Sequence, residues 1–301
     1  VRSNRVIGVD LGGTKIRAGV VDRDGSVLAR HEAPTPLDSQ EALLDGLEAA
    51  VRALDPGAAA AVGLGIPSVV DVASGCALTA NNIPLAGDIA VAGLLEERLG
   101  LPVTLENDAN AAALAEWRLG AGRGADDLIL LTLGTGVGGG AITGGRLFRG
   151  WAEFGHVVVD ADGPPCIGAC TGRGHLEGLV SGTAANAVAE RLYGAGAGAE
   201  ALVERARAGE EPAVAELRRI GELLGAGIGS LANAFGTRLF VVGGGFGLGA
   251  GELVLGPARE WARREALPPA RDLAVVPAAF GEGAGVVGAA LVAFDLVDGL
   301  R

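Results

Sequence analysis

The strongest constraint on the fold is a pattern that occurs twice. Residues 6–10 are an apolar run ending in the glycine-rich stretch Leu11-Gly12-Gly13-Thr14-Lys15. Residues 16–21 are apolar again, Asp22-Arg23-Asp24-Gly25 makes a turn, and residues 27–30 resume extended structure. Such runs and turns read as an antiparallel meander. The pattern returns with an apolar run at 128–133, a glycine-rich turn at 134–140, extended structure at Ala141-Ile142, a Gly144-Gly145 turn and a last run at 146–148. Any glycine-rich α/β chain offers some coincidences of this kind, but order and spacing agree, which favours a duplicated α/β domain.

Between and after the two copies the periodicity changes. Helical spacing is expected over 39–54, where Leu43, Leu44, Leu47 and Val51 share a face, and over 89–99, closed by Gly100. Further helices are expected at 109–119, 183–193, 213–235, 252–265 and 285–296, and strands at 61–66, 102–105, 239–242 and 273–276. No Ser/Pro/Gly-rich linker separates the halves, so hinges are expected near 117–124 and near Gly285.

Composition removes several function classes. The chain has 301 residues, 49% apolar and 20% charged, enough to bury a core. A formal charge of −12 argues against nucleic-acid binding, which needs a basic face. An anionic ligand is still allowed, because backbone N–H groups and a metal can hold phosphate. Three cysteines do not make a disulfide scaffold, and Cys76 reads as a core residue. The N-terminus shows no charged-then-apolar leader, and the apolar stretch 283–297 is too short to span a bilayer and contains Asp295. A soluble, cytoplasmic protein with no membrane partner is expected.

Four features could carry chemistry, each with a plain structural alternative. The glycine-rich turns after the two meander strands, and a third at Gly243-Gly244-Gly245, either make hairpins or let N–H groups converge on phosphate. Gly134-x-Gly136-x-x-Gly139 fits the dinucleotide fingerprint in letters only, since a strand rather than a helix follows. Asp10 either initiates a turn or holds Mg²⁺ against phosphate oxygens. Asp108, within Glu106-Asn107-Asp108-Ala109-Asn110, is either a helix N-cap or a functional carboxylate at the C-terminal end of a strand. Finally, His156, Cys166, Cys170 and His175 offer four N/S ligands suited to a closed Zn²⁺ site, with a free-thiol loop as the alternative.

Taken together these residues resemble the ROK family (repressors, open reading frames and kinases), and within it the bacterial ATP-dependent glucokinases. The resemblance covers nearly the whole chain. Ile7-Gly8-Val9-Asp10-Leu11-Gly12-Gly13-Thr14-Lys15 matches the DxGGT phosphate loop. Gly63-Leu64-Gly65-Ile66-Pro67 matches the GxGxPG turn, with Ser68 in place of the last glycine. The segment from Glu106 to Ala113 matches NDANxxA, and Leu133-Gly134-Thr135-Gly136-Val137-Gly138-Gly139-Gly140 the second phosphate loop. Glu153-Phe154-Gly155-His156 matches ExGH, and Val241-Val242-Gly243-Gly244-Gly245 the adenosine-side turn. The zinc loop departs from the family: His175 replaces its last cysteine and Cys166 lies two residues farther upstream, so a His₂Cys₂ set replaces HisCys₃.

The resemblance implies an actin-like, ribonuclease-H-like α/β fold of two domains flanking a cleft: 1–118 plus 288–301, and 119–287. It implies transfer of the γ-phosphoryl of Mg-ATP to the 6-hydroxyl of glucose, with Asp108 as general base. Gly65, Asn82, Asn107, Asp108, Glu153, His156 and Glu177 would hold the sugar. Asp10, Gly12, Gly13, Thr14, Lys15, Gly134, Thr135, Gly136, Gly243, Gly244 and Gly245 would hold ATP and Mg²⁺. His156, Cys166, Cys170 and His175 would hold a structural Zn²⁺. A homodimer or homotetramer is implied. The alternatives are a kinase for N-acetylmannosamine, N-acetylglucosamine, mannose or fructose, a polyphosphate-using glucokinase, and a non-catalytic sugar-responsive regulator. The family's repressors carry an N-terminal helix-turn-helix domain; with the phosphate loop starting at Asp10, no such domain is expected here.

Overall fold

The computed structural model describes residues 4–79, 83–85, 87–168 and 170–300. They fall into two units, Val1–Leu119 with Gly283–Arg301, and Gly120–Glu282.

The first unit opens with the meander β1 (Arg5–Leu11), β2 (Lys15–Asp22) and β3 (Val27–Pro34). Leu11 pairs with Ile16, which leaves Gly12 to Thr14 as the tip of the first glycine-rich hairpin. Helix α1 (Gln40–Arg52) starts at Ser39, whose hydroxyl accepts from the Ala42 N–H, and it buries Leu43, Leu44, Leu47 and Val51. Then come β4 (Val62–Ile66), β5 (Val69–Asp71), β6 (Cys76–Thr79), α2 (Val91–Leu99), β7 (Val103–Asn107) and α3 (Asp108–Arg118). The sheet order is β3-β2-β1-β4-β7, with β1, β4 and β7 parallel. Strand β4 is buried throughout, as a parallel strand covered on both faces must be. The β5–β6 ribbon was not expected. It corrects the reading of Cys76, which is half-buried there rather than in the core, because a two-stranded ribbon is thinly covered.

The second unit repeats the plan. Strands β8 (Leu128–Leu133), β9 (Val137–Thr143) and β10 (Arg146–Leu147) form the second meander. Helices α4 (Leu176–Val180), α5 (Gly182–Tyr193), α6 (Ala199–Arg207) and α7 (Glu211–Phe235) follow, then β11 (Leu239–Gly243), α8 (Gly245–Ala250), α9 (Glu252–Glu265) and β12 (Ala274–Pro277). The order β10-β9-β8-β11-β12 matches that of the first sheet, strand for strand. Helices α4, α6 and α8 were not anticipated; α4 and α8, of five and six residues, are too short to display a clear helical period.

The chain ends in α10 (Ala284–Val297), which returns to the first unit. Residues 284–295 of this helix are buried, which is why it is apolar on every side. It lies directly on β1 and β4: a Cβ on Gly8 would overlap the Val286 carbonyl oxygen, and one on Gly63 that of Ala289. On its other flank Gly288 meets the Ala111 carbonyl of α3 just as closely. Two forked ion pairs hold the helix, Arg118 to Asp295 at 2.7 and 2.9 Å and Arg23 to Asp298 at 2.8 and 3.0 Å. All of α10 belongs to this unit, whose second segment starts at Gly283 rather than at residue 288. Among the described residues no helix is long and apolar enough to cross a membrane.

Candidate active site

Asp10 lies at the C-terminal end of β1, and Asp108 begins α3 directly after β7. Between them runs β4, where Asp10 is in register with Gly65 and Gly65 with Glu106. Gly65 lies beside Asp108: a Cβ there would make an ordinary van der Waals contact with the Asp108 Cα at 3.4 Å. The N-cap of α3 is Asn107, which corrects the cap reading of Asp108. The Asn107 Oδ1 accepts from the Asn110 N–H at 3.0 Å, and its Nδ2 donates to the Ser68 carbonyl at 3.3 Å. Asp108 therefore does not cap α3, and its Oδ1 accepts from the Ala109 N–H at 2.8 Å. Ser68, the departure from the expected glycine, supplies the carbonyl that orients Asn107.

Burial, and then the neighbouring Asp108 charge, push the Asp10 pKa from 3.8 to about 7 against the opposing pull of Arg17. The N-terminal turn of α10 adds to the crowding, for a Cβ on Gly285 would lie 2.5 Å from the Asp10 Cγ. Two neighbouring carboxylates with this electrostatic strain are suited to a hard divalent cation, which prefers oxygen ligands.

Each glycine-rich hairpin is closed by the N–H of its first glycine, over three residues in the first and two in the second. The Gly12 N–H donates to the Lys15 carbonyl at 2.9 Å, and the Gly134 N–H to the Gly136 carbonyl at 3.0 Å. Those two N–H groups are therefore spent within the loops, although both glycines were expected to line phosphate. Lys15 points its Nζ at Glu32, 2.6 Å away. In the third turn Gly244 has φ +80°, and a Cβ on it would overlap the backbone of Leu133. This brings Gly243-Gly244-Gly245 against the start of the second hairpin within the same unit. Asn82 lies outside the described residues.

In the second unit Glu153 is exposed, and its carbonyl accepts from the His156 N–H at 3.0 Å. One ligand atom from each of His156, Cys166, Cys170 and His175 lies within 4.8 Å of the others. The two Nδ1 atoms are 3.2 Å apart, Cys166 Sγ is 3.7 Å from His156 Nδ1, and Cys170 Sγ is 3.5 Å from His175 Nδ1. A tetrahedral Zn²⁺ needs edges of roughly 3.3 Å for N···N and 3.6 Å for N···S, so the donor set fits that ion. Burial raises the Cys166 thiol pKa, with Cys170 and Glu177 adding to it. The exchanged His175 and the shifted Cys166 both belong to the cluster.

Glu177, expected to face sugar, has a second task. Its Oε2 accepts from the Val137 N–H at 2.9 Å, and its Oε1 is 3.9 Å from Cys166 Sγ. A Cβ on Gly136 would overlap this carboxylate. The segment after the Cys/His loop thus braces the second hairpin, a relation between residues 40 apart that no local motif announces.

The family model described as the ROK family matches residues 6–295. The chain is 40% identical to a glucokinase of Streptomyces coelicolor over 94% of its own length and 96% of the relative's. It is 34% identical to an N-acetylmannosamine kinase of Shigella flexneri, covering 96% and 98% of the two chains. A crystal structure of a ROK family glucokinase from Streptomyces griseus, in complex with glucose and AMPPNP, superposes with a TM-score of 0.83 at 40% identity, over 97% of this chain and 99% of that one.

Proposed function

This chain belongs to the ROK family, and from that premise we propose that it is an ATP-dependent glucokinase, moving the γ-phosphoryl of Mg-ATP to the 6-hydroxyl of glucose to give glucose 6-phosphate and ADP. The observation that carries the reading is Asp108: a carboxylate at the carboxyl edge of a parallel sheet, relieved of capping by Asn107 and neighboured by a second carboxylate, Asp10. The likeness to glucokinases over almost the full length supports it.

Phosphoryl transfer asks for alignment and charge neutralisation more than for covalent help. In the first unit Asp108 accepts the proton of the attacking 6-hydroxyl as general base. Asn107 holds a neighbouring hydroxyl, and Asp10 would help to hold Mg²⁺. The N–H groups of Gly13 and Thr14, and in the second unit those of Thr135 and Gly136, stabilise charge developing on phosphoryl oxygens. Glu153 and His156 accept and donate hydrogen bonds to sugar hydroxyls; the Nδ1 of His156 faces the Cys/His cluster, leaving Nε2 for the sugar. Zn²⁺ held by His156, Cys166, Cys170 and His175 would supply a structural cross-link to that loop. Mg²⁺ would screen the phosphate charge. A kinase of this kind draws on cytoplasmic ATP, and the family resemblance points to a homodimer or homotetramer.

The likeness to an N-acetylmannosamine kinase gives a second reading, in which the acceptor is an N-acetylhexosamine. A panel of glucose, mannose, fructose, N-acetylglucosamine and N-acetylmannosamine, each assayed with ATP and with polyphosphate, decides between them. Glucose with ATP is expected to show the highest kcat/KM. A higher value for any other pair overturns the assignment.

A further inference from the structure

Two threonine hydroxyls from outside the glycine-rich hairpins each hold a hairpin carbonyl. Thr35, one residue beyond β3, donates its hydroxyl to the Gly12 carbonyl at 2.7 Å and its backbone N–H to the Thr14 carbonyl at 3.0 Å. Thr183, in the first turn of α5, donates its hydroxyl to the Thr135 carbonyl, also at 2.7 Å. Beside it the Gly182 N–H donates to the Gly134 carbonyl at 2.7 Å. The two sheets share one strand order, but Thr35 comes from the end of the first meander and Thr183 from a helix. The two clamps are thus built from different elements.

The consequence follows from peptide geometry. A trans peptide is planar, so its C=O and the next residue's N–H point in opposite directions. Holding the Gly12 carbonyl on one side turns the Gly13 N–H to the other. Holding the Gly134 and Thr135 carbonyls turns out the N–H groups of Thr135 and Gly136. No described residue accepts a hydrogen bond from the N–H of Gly13, Thr135 or Gly136. By contrast, the N–H groups of Gly12 and Gly134, whose orientation the clamps do not set, are used up inside the loops. Glycine-rich backbone has many accessible conformations, and donors lower a barrier only when they are aimed before charge develops.

We propose that Thr35 and Thr183 are positioning residues for phosphoryl transfer. Each hydroxyl fixes one peptide plane of a glycine-rich loop, so that the following N–H is presented to the β- and γ-phosphates. The proposal rests on the reading of the chain as an ATP-dependent sugar kinase. Thr35 is 8% exposed, and its replacement by the near-isosteric valine removes the donor while keeping the shape. Serine keeps the donor and loses only the methyl group.

The test uses the full chain with Thr35→Val, Thr183→Val and the two serine variants. Steady-state kinetics give KM and kcat for ATP and glucose, and calorimetry gives the affinities for AMP and AMPPNP. The valine variants are expected to lose about 10- to 100-fold in kcat/KM for ATP, the scale of a misplaced reactant. Their glucose KM should stay within about twofold and AMP affinity should be unchanged, while AMPPNP binds more weakly, because only AMPPNP carries the β- and γ-phosphates. Both serine variants should behave as wild type. If Thr35→Val fails to fold, Thr183→Val, whose side chain is less deeply buried, carries the test. Folded valine variants with unaltered ATP kinetics overturn the proposal, as does an equal loss of AMP and AMPPNP affinity or a serine variant that fails like valine. A wild-type chain with no phosphoryl transfer to any sugar overturns the kinase reading and this proposal with it, so the two failures are distinguishable.

Discussion

The carboxylate of Glu177 accepts a hydrogen bond from the Val137 N–H at 2.9 Å, joining the helix that follows the Cys/His loop to the first residue after the second glycine-rich turn. Val137 is buried, so its N–H has no ready replacement in water. Removing an acceptor from such a donor costs on the order of 1–3 kcal/mol. Glu177→Ala is therefore expected to raise KM for both glucose and ATP, the latter about tenfold, whereas Glu177→Gln, which keeps an acceptor oxygen, retains most of the ATP affinity. Steady-state kinetics with each substrate varied in turn measure this. An effect on glucose alone would show that the bond to Val137 does nothing for the hairpin.

Asp108→Asn should preserve the fold, because Asn107 rather than Asp108 caps α3. Glucose affinity by calorimetry should stay close to wild type, while kcat falls by about 10²- to 10⁴-fold, the usual span for a general acid–base group. Near-normal turnover would remove Asp108 from the role of base.

The raised pKa of Asp10 has a definite sign in stability. Folded Asp10 keeps its proton up to about pH 7, whereas the unfolded chain loses it near 3.8. The stabilisation is thus fully present below pH 4 and is lost as pH rises through about 7, a change of about 4 kcal/mol from a shift of roughly three units. Asp10→Asn cannot ionise, so its stability should be flatter between pH 4 and 7 and higher than wild type at pH 8. Urea unfolding in Mg²⁺-free buffer at several pH values measures the slope. Parallel curves for the two proteins would mean that Asp10 is ionised throughout.

Protein purified without chelator is expected to contain about one zinc per chain, the stoichiometry of a single four-ligand site. Cys170→Ser should lose the metal, and His175→Cys, which keeps a soft ligand, should retain it. Because Glu177 links this loop to Val137, zinc loss should raise the KM for ATP as well as that for glucose. Elemental analysis beside kinetics decides both points. A wild-type chain that stays clearly substoichiometric in zinc after growth with added metal would mean that packing alone holds the loop.

Gly288→Ala should destabilise the first unit by about 3 kcal/mol, the upper range for overpacking, because the added Cβ meets the Ala111 carbonyl across the α3–α10 contact. The urea midpoint should fall accordingly. Gly283→Ala, where a Cβ meets nothing within 4 Å, serves as the neutral control.

Much of the architecture was legible in the sequence because it is written over short spans. Apolar runs broken by glycine-rich turns marked both meanders, and their recurrence matched the shared strand order of the two sheets. The spacing of Leu43, Leu44, Leu47 and Val51 marked the buried face of α1. The residues of the Cys/His cluster were likewise visible as a group, since all four lie within 20 positions of one another. The short helices α4 and α8 were not, because five and six residues complete too few turns to establish a helical period.

What the tertiary structure alone decided is how those pieces constrain one another. Nothing local says that Asp10 titrates near pH 7: that depends on the burial of β1, on Asp108 arriving from the far side of β4, and on α10 closing over it at Gly285. Nor does the sequence say that Glu177 reaches Val137, that Asn107 takes the cap from Asp108, or that Thr35 and Thr183 each hold a hairpin carbonyl. Backbone propensity and hydrophobic period act between residues a few positions apart, and a single chain displays them directly. Desolvation and hydrogen bonds between distant segments exist only once the fold has excluded water and brought donor and acceptor together.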